Sequence, residues 1–85
     1  MEINFSDTAL KDLKYWKKLN NIQIQERIKL LIEAILENPT QGLGNPEPLK
    51  FEYSGFWSRK INKEHRLVYR FDENSIEIIQ LRFHY

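Results

Sequence analysis

The sequence predicts an α+β fold: a short N-terminal strand, then an antiparallel helical hairpin packed on one face of an antiparallel sheet. Three observations predict it. Two apolar stripes at helical spacing fill the first half of the chain. After Gly55 the pattern switches to alternation. Connections within each half are short, which makes successive elements antiparallel neighbours. No repeat or linker-like tract divides the 85 residues, so 1–85 is read as a single domain.

Each element has a local reason. Glu2–Phe5 alternates, with Ile3 and Phe5 apolar, and reads as an opening strand. Ser6 is a good N-cap, and Asp7 comes next, where the helix dipole favours negative charge. Ala9, Leu13 and Trp16 then form one stripe on a helix ending near Leu19, broken by Asn20-Asn21. Ile24, Ile28, Leu31 and Ile35 repeat the stripe on a second helix, with Ile32 widening it. That helix stops at Asn38-Pro39, because proline lacks an amide hydrogen and disfavours helical backbone before it. Residues 40–54 carry Gly42, Gly44, Pro46 and Pro48 and read as a loop, long enough in so small a fold to suggest function. Residues 56–61, 66–71 and 75–83 are three expected strands. On the middle one Leu67, Tyr69 and Phe71 share the face that should meet the helices, leaving Arg66, Val68 and Arg70 on the open face.

Composition excludes several functions. There is no cysteine, so disulfides, iron–sulfur clusters and thiolate zinc sites are ruled out. His65 and His84 are too far apart for a local metal motif, and no metal or cofactor is expected. No apolar run has the length of a membrane span, and the N-terminus lacks a signal-like pattern, so the expectation is a cytoplasmic protein without membrane contact. The net charge is only +1, yet residues 50–70 hold six basic side chains against Glu52 and Glu64. Such a patch on a near-neutral body suits an anionic partner, or else is a solvated strand face.

Four groups have the chemistry to act on a phosphodiester. Glu47 lies between Pro46 and Pro48, which restrict its backbone and hold its carboxylate in a narrow cone suited to a general base. The alternative is a surface carboxylate in a proline turn. Arg66, at the start of the middle strand, offers a permanently charged planar fork that matches phosphate, or is an ordinary strand arginine. His84 is flanked by Phe83 and Tyr85, which suggests a docked tail delivering a proton donor; an apolar terminal strand with a solvated histidine competes with this. Tyr85 is suited to stack on a base. Lys50, Arg59, Lys60 and Arg82 are candidate RNA contacts, and His65 reads as a turn residue. A base, an anion clamp and an acid are what RNA cleavage by its own 2′-hydroxyl needs, and that route requires no metal-activated nucleophile.

Four ordered motifs carry a resemblance over the whole chain: Asn-Pro-Glu-Pro-Leu-Lys at 45–50, Ser-Gly-Phe-Trp-Ser-Arg-Lys-Ile at 54–61, Glu-His-Arg-Leu-Val-Tyr at 64–69, and the terminal Arg-Phe-His-Tyr. They resemble the YoeB/Txe family of RelE-like mRNA interferase toxins. The resemblance implies a microbial-ribonuclease-like α+β fold and ribosome-dependent cleavage of mRNA in the A site. It implies Glu47 as base, Arg66 as phosphate-stabilising residue, His84 as acid and Tyr85 as the tail aromatic orienting RNA, with Lys50 and Arg59 as substrate contacts. It also implies a YefM/Axe-like antitoxin, a 70S ribosome and mRNA as partners, a homodimer, and contact with operator DNA only through the antitoxin. Two positions depart from the usual pattern: Lys60 stands where arginine is common, which loses the planar fork, and Phe83 where tyrosine is common.

A non-catalytic RNA- or protein-binding module with the same fold is the alternative expectation. A DNA-binding regulator fits poorly, because the basic residues lie on strands and not on either helix.

Overall fold

The computed structural model describes residues 1–84. Its elements are β1 (Glu2–Phe5), α1 (Asp7–Lys18), α2 (Ile22–Glu37), β2 (Glu47–Pro48), a 3-10 turn (Phe51–Tyr53), β3 (Trp57–Lys60), β4 (Arg66–Phe71) and β5 (Ser75–Gln80). They form an α+β fold with one five-stranded sheet in the order β1-β5-β4-β3-β2.

The helix starts are set by side-chain caps. Ser6 Oγ accepts the Ala9 amide (3.0 Å) and donates to Ile79 O (2.6 Å), so one hydroxyl both caps α1 and ties it to the sheet. Asn21 Oδ1 accepts the Ile24 amide (3.1 Å) at the head of α2. The short break between the helices therefore belongs to both: Asn20 takes a left-handed φ of 53°, which asparagine tolerates, and Asn21 caps α2.

The sheet is antiparallel except at one edge. β1 runs parallel to β5, pairing Ile3 with Ile76 and Phe5 with Ile78. The three strands after Gly55 are antiparallel as expected, and β1, which the sequence did not place, adds a parallel edge. The helical hairpin is the crossover: it carries the chain away from β1, and the later strands return so that β5 closes against β1 in the same direction. Two expectations shift. The last strand ends at Gln80 instead of running on to Phe83, and the long loop contains β2 and a 3-10 turn.

The core lies between the sheet and the helices. Trp16, Ile24, Ile28, Leu31 and Ile35 meet Leu67, Tyr69, Ile76 and Ile78, all buried, with Phe71 partly buried against them. The expected faces of β4 are thus correct for its apolar set. The other face is less open than alternation suggests, since Ser58 and Val68, neighbours across β3 and β4, are also buried.

Candidate active site

The strand register assembles a cross-sheet row on the face away from the helices. Glu47 pairs with Ser58, Ser58 with Val68, and Val68 with Gln80. One step along, Lys60 pairs with Arg66 on the same face. Two inter-strand spacings and two residues of rise put the Glu47 and Arg66 Cα atoms about 12 Å apart. Glu47 is held twice. Its backbone is a strand residue, and its Oε1 accepts a hydrogen bond from Asn45 Nδ2 (3.0 Å). Asn45 has a left-handed φ of 52°, a conformation asparagine adopts more readily than most residues.

Arg66 is half-buried, and its Nη1 donates to the carbonyls of Asn62 (2.8 Å) and His65 (3.1 Å) in the preceding turn. Those bonds fix one end of the guanidinium. Among the described residues Nε and Nη2 engage no acceptor, which leaves the side-on fork that matches two phosphate oxygens.

The tail is docked through its backbone. Leu81 N–H donates to Asp12 Oδ2 (2.9 Å) and Leu81 O accepts from Trp16 Nε1 (2.9 Å), both groups belonging to α1. Gln80 Nε2 donates to Arg82 O (2.7 Å) and His84 O (3.1 Å). Phe83 N–H donates to His65 Nδ1 (2.8 Å), and Phe83 O accepts the Arg66 amide (3.0 Å). An amide nitrogen cannot accept, so His65 Nδ1 is the acceptor of this bond. The ring also packs edge-on against Trp16, 4.9 Å between centroids. The consequence is positional: the residue before His84 is bonded to the backbone of Arg66. Phe83 has a left-handed φ of 66°, a strain that its two hydrogen bonds hold in place.

Of the sequence-predicted residues, Glu47, Lys60 and Arg66 therefore share one sheet face, with the backbone of His84 tethered to it and Lys50 exposed just past β2. Tyr85 lies outside the described residues. One of the expected RNA contacts, Arg59, is corrected. Arg59 is fully buried: it pairs with Leu67 on the core face, and its guanidinium donates to Asn38 O (2.6 Å), Gln41 O (3.1 Å), Leu43 O (3.0 Å) and Tyr69 Oη (3.1 Å). It is a clamp on the loop leaving α2. Arg82, half-buried, lies against the Tyr15 ring on α1 (3.4 Å to the centroid) and the Phe83 ring (4.3 Å), which holds the tail by cation–π contact. Arg70, the other open-face arginine, forms an ion pair with Glu77 (3.1 Å).

Sequence reasoning missed Asn45, His65, Gln80, Asp12 and Trp16 as supports of this site. Only Asn45 had a local signal, being a left-handed-tolerant amide two residues from the carboxylate.

The mixed sheet and the helical hairpin define a RelE-like α+β fold. The YafQ structure from Escherichia coli shares the fold, with a TM-score of 0.80 at 18% identity over 96% of this chain and 91% of that one. The chain belongs to the family of YoeB-like toxins of bacterial type II toxin–antitoxin systems, whose model matches residues 5–85. It is 47% identical to Toxin YoeB of Synechocystis, covering 100% of this chain and 98% of the relative. With Toxin YoeB of Escherichia coli K12 it shares 41% identity across the full length of both. Among solved structures it resembles a YoeB/ParE toxin from Agrobacterium tumefaciens (TM-score 0.95, 39% identity, all of both chains). It also resembles the YoeB of a YoeB–YefM complex from Staphylococcus aureus (TM-score 0.89, 42% identity, 100% of this chain and 98% of that one).

Proposed function

We propose that this toxin is an endoribonuclease that cuts mRNA in the ribosomal A site by internal attack of a 2′-hydroxyl. The observation that supports it best is that Glu47 and Arg66 share one sheet face while the backbone of the tail runs beside Arg66, whose amide donates to Phe83 O (3.0 Å). Glu47 takes the 2′-hydroxyl proton. The Arg66 fork receives the charge that builds on the phosphorane oxygens, and His84 protonates the departing 5′-oxygen. The products are a 2′,3′-cyclic phosphate and a 5′-hydroxyl. RNA supplies its own nucleophile, so the scheme assigns no metal or cofactor. Lys50 and Lys60, both exposed, contact flanking phosphates, and Tyr85 orients the RNA from the tail.

The ribosome presents the mRNA in this scheme. An antitoxin of the YefM kind restrains the toxin and brings operator DNA to the complex through its own DNA-binding part. A homodimer, such as is known for the Staphylococcus aureus relative, is the proposed free state, in the cytoplasm and as one domain.

Arg66→Ala tests the proposal. Loss of one transition-state anion donor costs about 3–4 kcal/mol, so cleavage on translating ribosomes should slow by roughly 10²–10³ with folding intact. A folded Arg66→Ala protein that cuts mRNA at the parent rate refutes it. Glu47→Gln separates an enzyme from a binder: the enzyme loses turnover, whereas a non-catalytic module keeps its RNA affinity.

A further inference from the structure

Two phenylalanines hold left-handed backbone, Phe83 at φ 66° and Phe51 at φ 59°. Such a conformation is unusual for a bulky side chain and has to be held by something. Phe83 is explained by its bonds to His65 and Arg66. Phe51 has no comparable return. Its side chain is 90% exposed, so the strained backbone displays an apolar ring in water. The segment that displays it is rigid: Leu49 N–H bonds Phe56 O (2.9 Å), Tyr53 N–H bonds Lys50 O (3.1 Å), and Ser54 N–H bonds Phe51 O (3.0 Å).

The location is informative. Phe51 lines a cavity of about 380 Å³ together with Glu47 and Lys50, the proposed base and a phosphate contact. Its immediate neighbours Lys50 and Glu52 are exposed charged residues, and Tyr53, 44% exposed, lines the same cavity, so the apolar surface here is aromatic and interrupted by charge. Protein docking calls for contiguous apolar area, whereas a flat ring beside a phosphate-binding cation is what a nucleobase needs.

We propose that Phe51 is a stacking platform for a nucleobase of the mRNA next to the scissile phosphate. This rests on the ribonuclease function proposed above and adds the subsite that holds the base. Phe51 fixes the nucleotide plane, which sets how the 2′-hydroxyl meets Glu47. The left-handed backbone sets the angle at which the ring projects from the turn.

Phe51→Asn tests this, since asparagine accepts the backbone and lacks the ring. Phe51→Trp is the conservative partner. The probe is a programmed ribosome whose A-site codon carries 2-aminopurine beside the cleavage site and a 2′-O-methyl group in place of the attacking hydroxyl. The parent and Phe51→Trp should quench its fluorescence on binding, and Phe51→Asn should not. On cleavable mRNA, Phe51→Asn should raise KM about tenfold or more, with a melting temperature no lower than the parent's. Parent-like quenching and KM in Phe51→Asn would overturn the proposal. So would a shift from dimer to monomer in that variant with unchanged cleavage per site, which would make the ring a protein contact. Because the methylated probe is read without turnover, a missing platform is distinguished from a failed ribonuclease assignment, which the Arg66→Ala result decides.

Discussion

Replacing Arg59 by alanine separates a structural role from an RNA-binding one. The side chain sits on the core face of β3 at zero exposure, and among the described residues no carboxylate is one of its hydrogen-bond partners. Its charge is met by three carbonyls and a phenol. Asn38 and Gln41 share Nη2, Leu43 takes Nη1 and Tyr69 takes Nε. These acceptors span the chain from the end of α2 into the long loop, so the guanidinium ties that loop to the sheet. Alanine strands all four acceptors at once. At about 1 kcal/mol for each hydrogen bond to the buried guanidinium that is lost, the loss is about 4 kcal/mol. For a domain of this size 1 kcal/mol lowers the melting temperature by about 4–8 °C, so Arg59→Ala should melt roughly 20 °C or more below the parent. Arg59→Lys, with a point charge in place of the fork, should recover only part of this. Lys60→Ala, one residue away on the exposed face, should stay within about 0.5 kcal/mol of the parent. Thermal unfolding tracked by circular dichroism gives all three values. An Arg59→Ala protein that melts within a few degrees of the parent yet loses RNA cleavage would refute the structural assignment and return Arg59 to the substrate.

Burial raises the Tyr69 pKa above its ordinary 10.0, opposed by the hydrogen bond and charge of Arg59. Its contribution is therefore complete below the unfolded value and falls as pH rises from about 10 through the folded pKa, so the stability advantage over Tyr69→Phe should shrink in that window in urea titrations. Gly44→Ala should destabilise by about 2 kcal/mol or more by the same assay. Gly44 has φ +90°, and an added Cβ would lie 2.7 Å from Leu31 Cδ2 and 3.0 Å from Arg59 Cβ. His65→Phe keeps a ring beside Trp16 but removes the acceptor for Phe83 N–H. Amide exchange at Phe83 should quicken by up to about tenfold for the loss of one exposed hydrogen bond, and His65→Asn, whose Oδ1 can accept, should restore protection.

Local chemistry made most of the fold legible. Ser6 and Asn20-Asn21 marked helix boundaries through their side chains, Pro39 marked the end of α2, and alternation sorted Leu67 from Arg66. What failed was non-local. Nothing near Glu2–Phe5 says that it lies parallel to β5, because that choice is made by the route of the whole chain across the helices. The end of β5 at Gln80 was hidden for a similar reason. Leu81 and Phe83 continue an alternating pattern, but Asp12 and Trp16 on α1 capture the backbone of Leu81 and draw it off the sheet.

The site divides along the same line. Glu47, Arg66 and His84 could be named from residue type, neighbouring prolines and family resemblance, because each carries its chemistry in its own side chain. Arg59 was misread because charge was given more weight than strand parity. Arg59 pairs with Leu67 and Lys60 with Arg66, so alternation along β3 must send one cation into the core and the other out. Parity sends one of the two inward, and the loop carbonyls of Asn38, Gln41 and Leu43 favour arginine there, since lysine lacks the planar fork that gathers them. The Arg59-Lys60 order is thus a structural requirement at the first position and a tolerant surface at the second, which is why lysine is acceptable at 60 and would not be at 59.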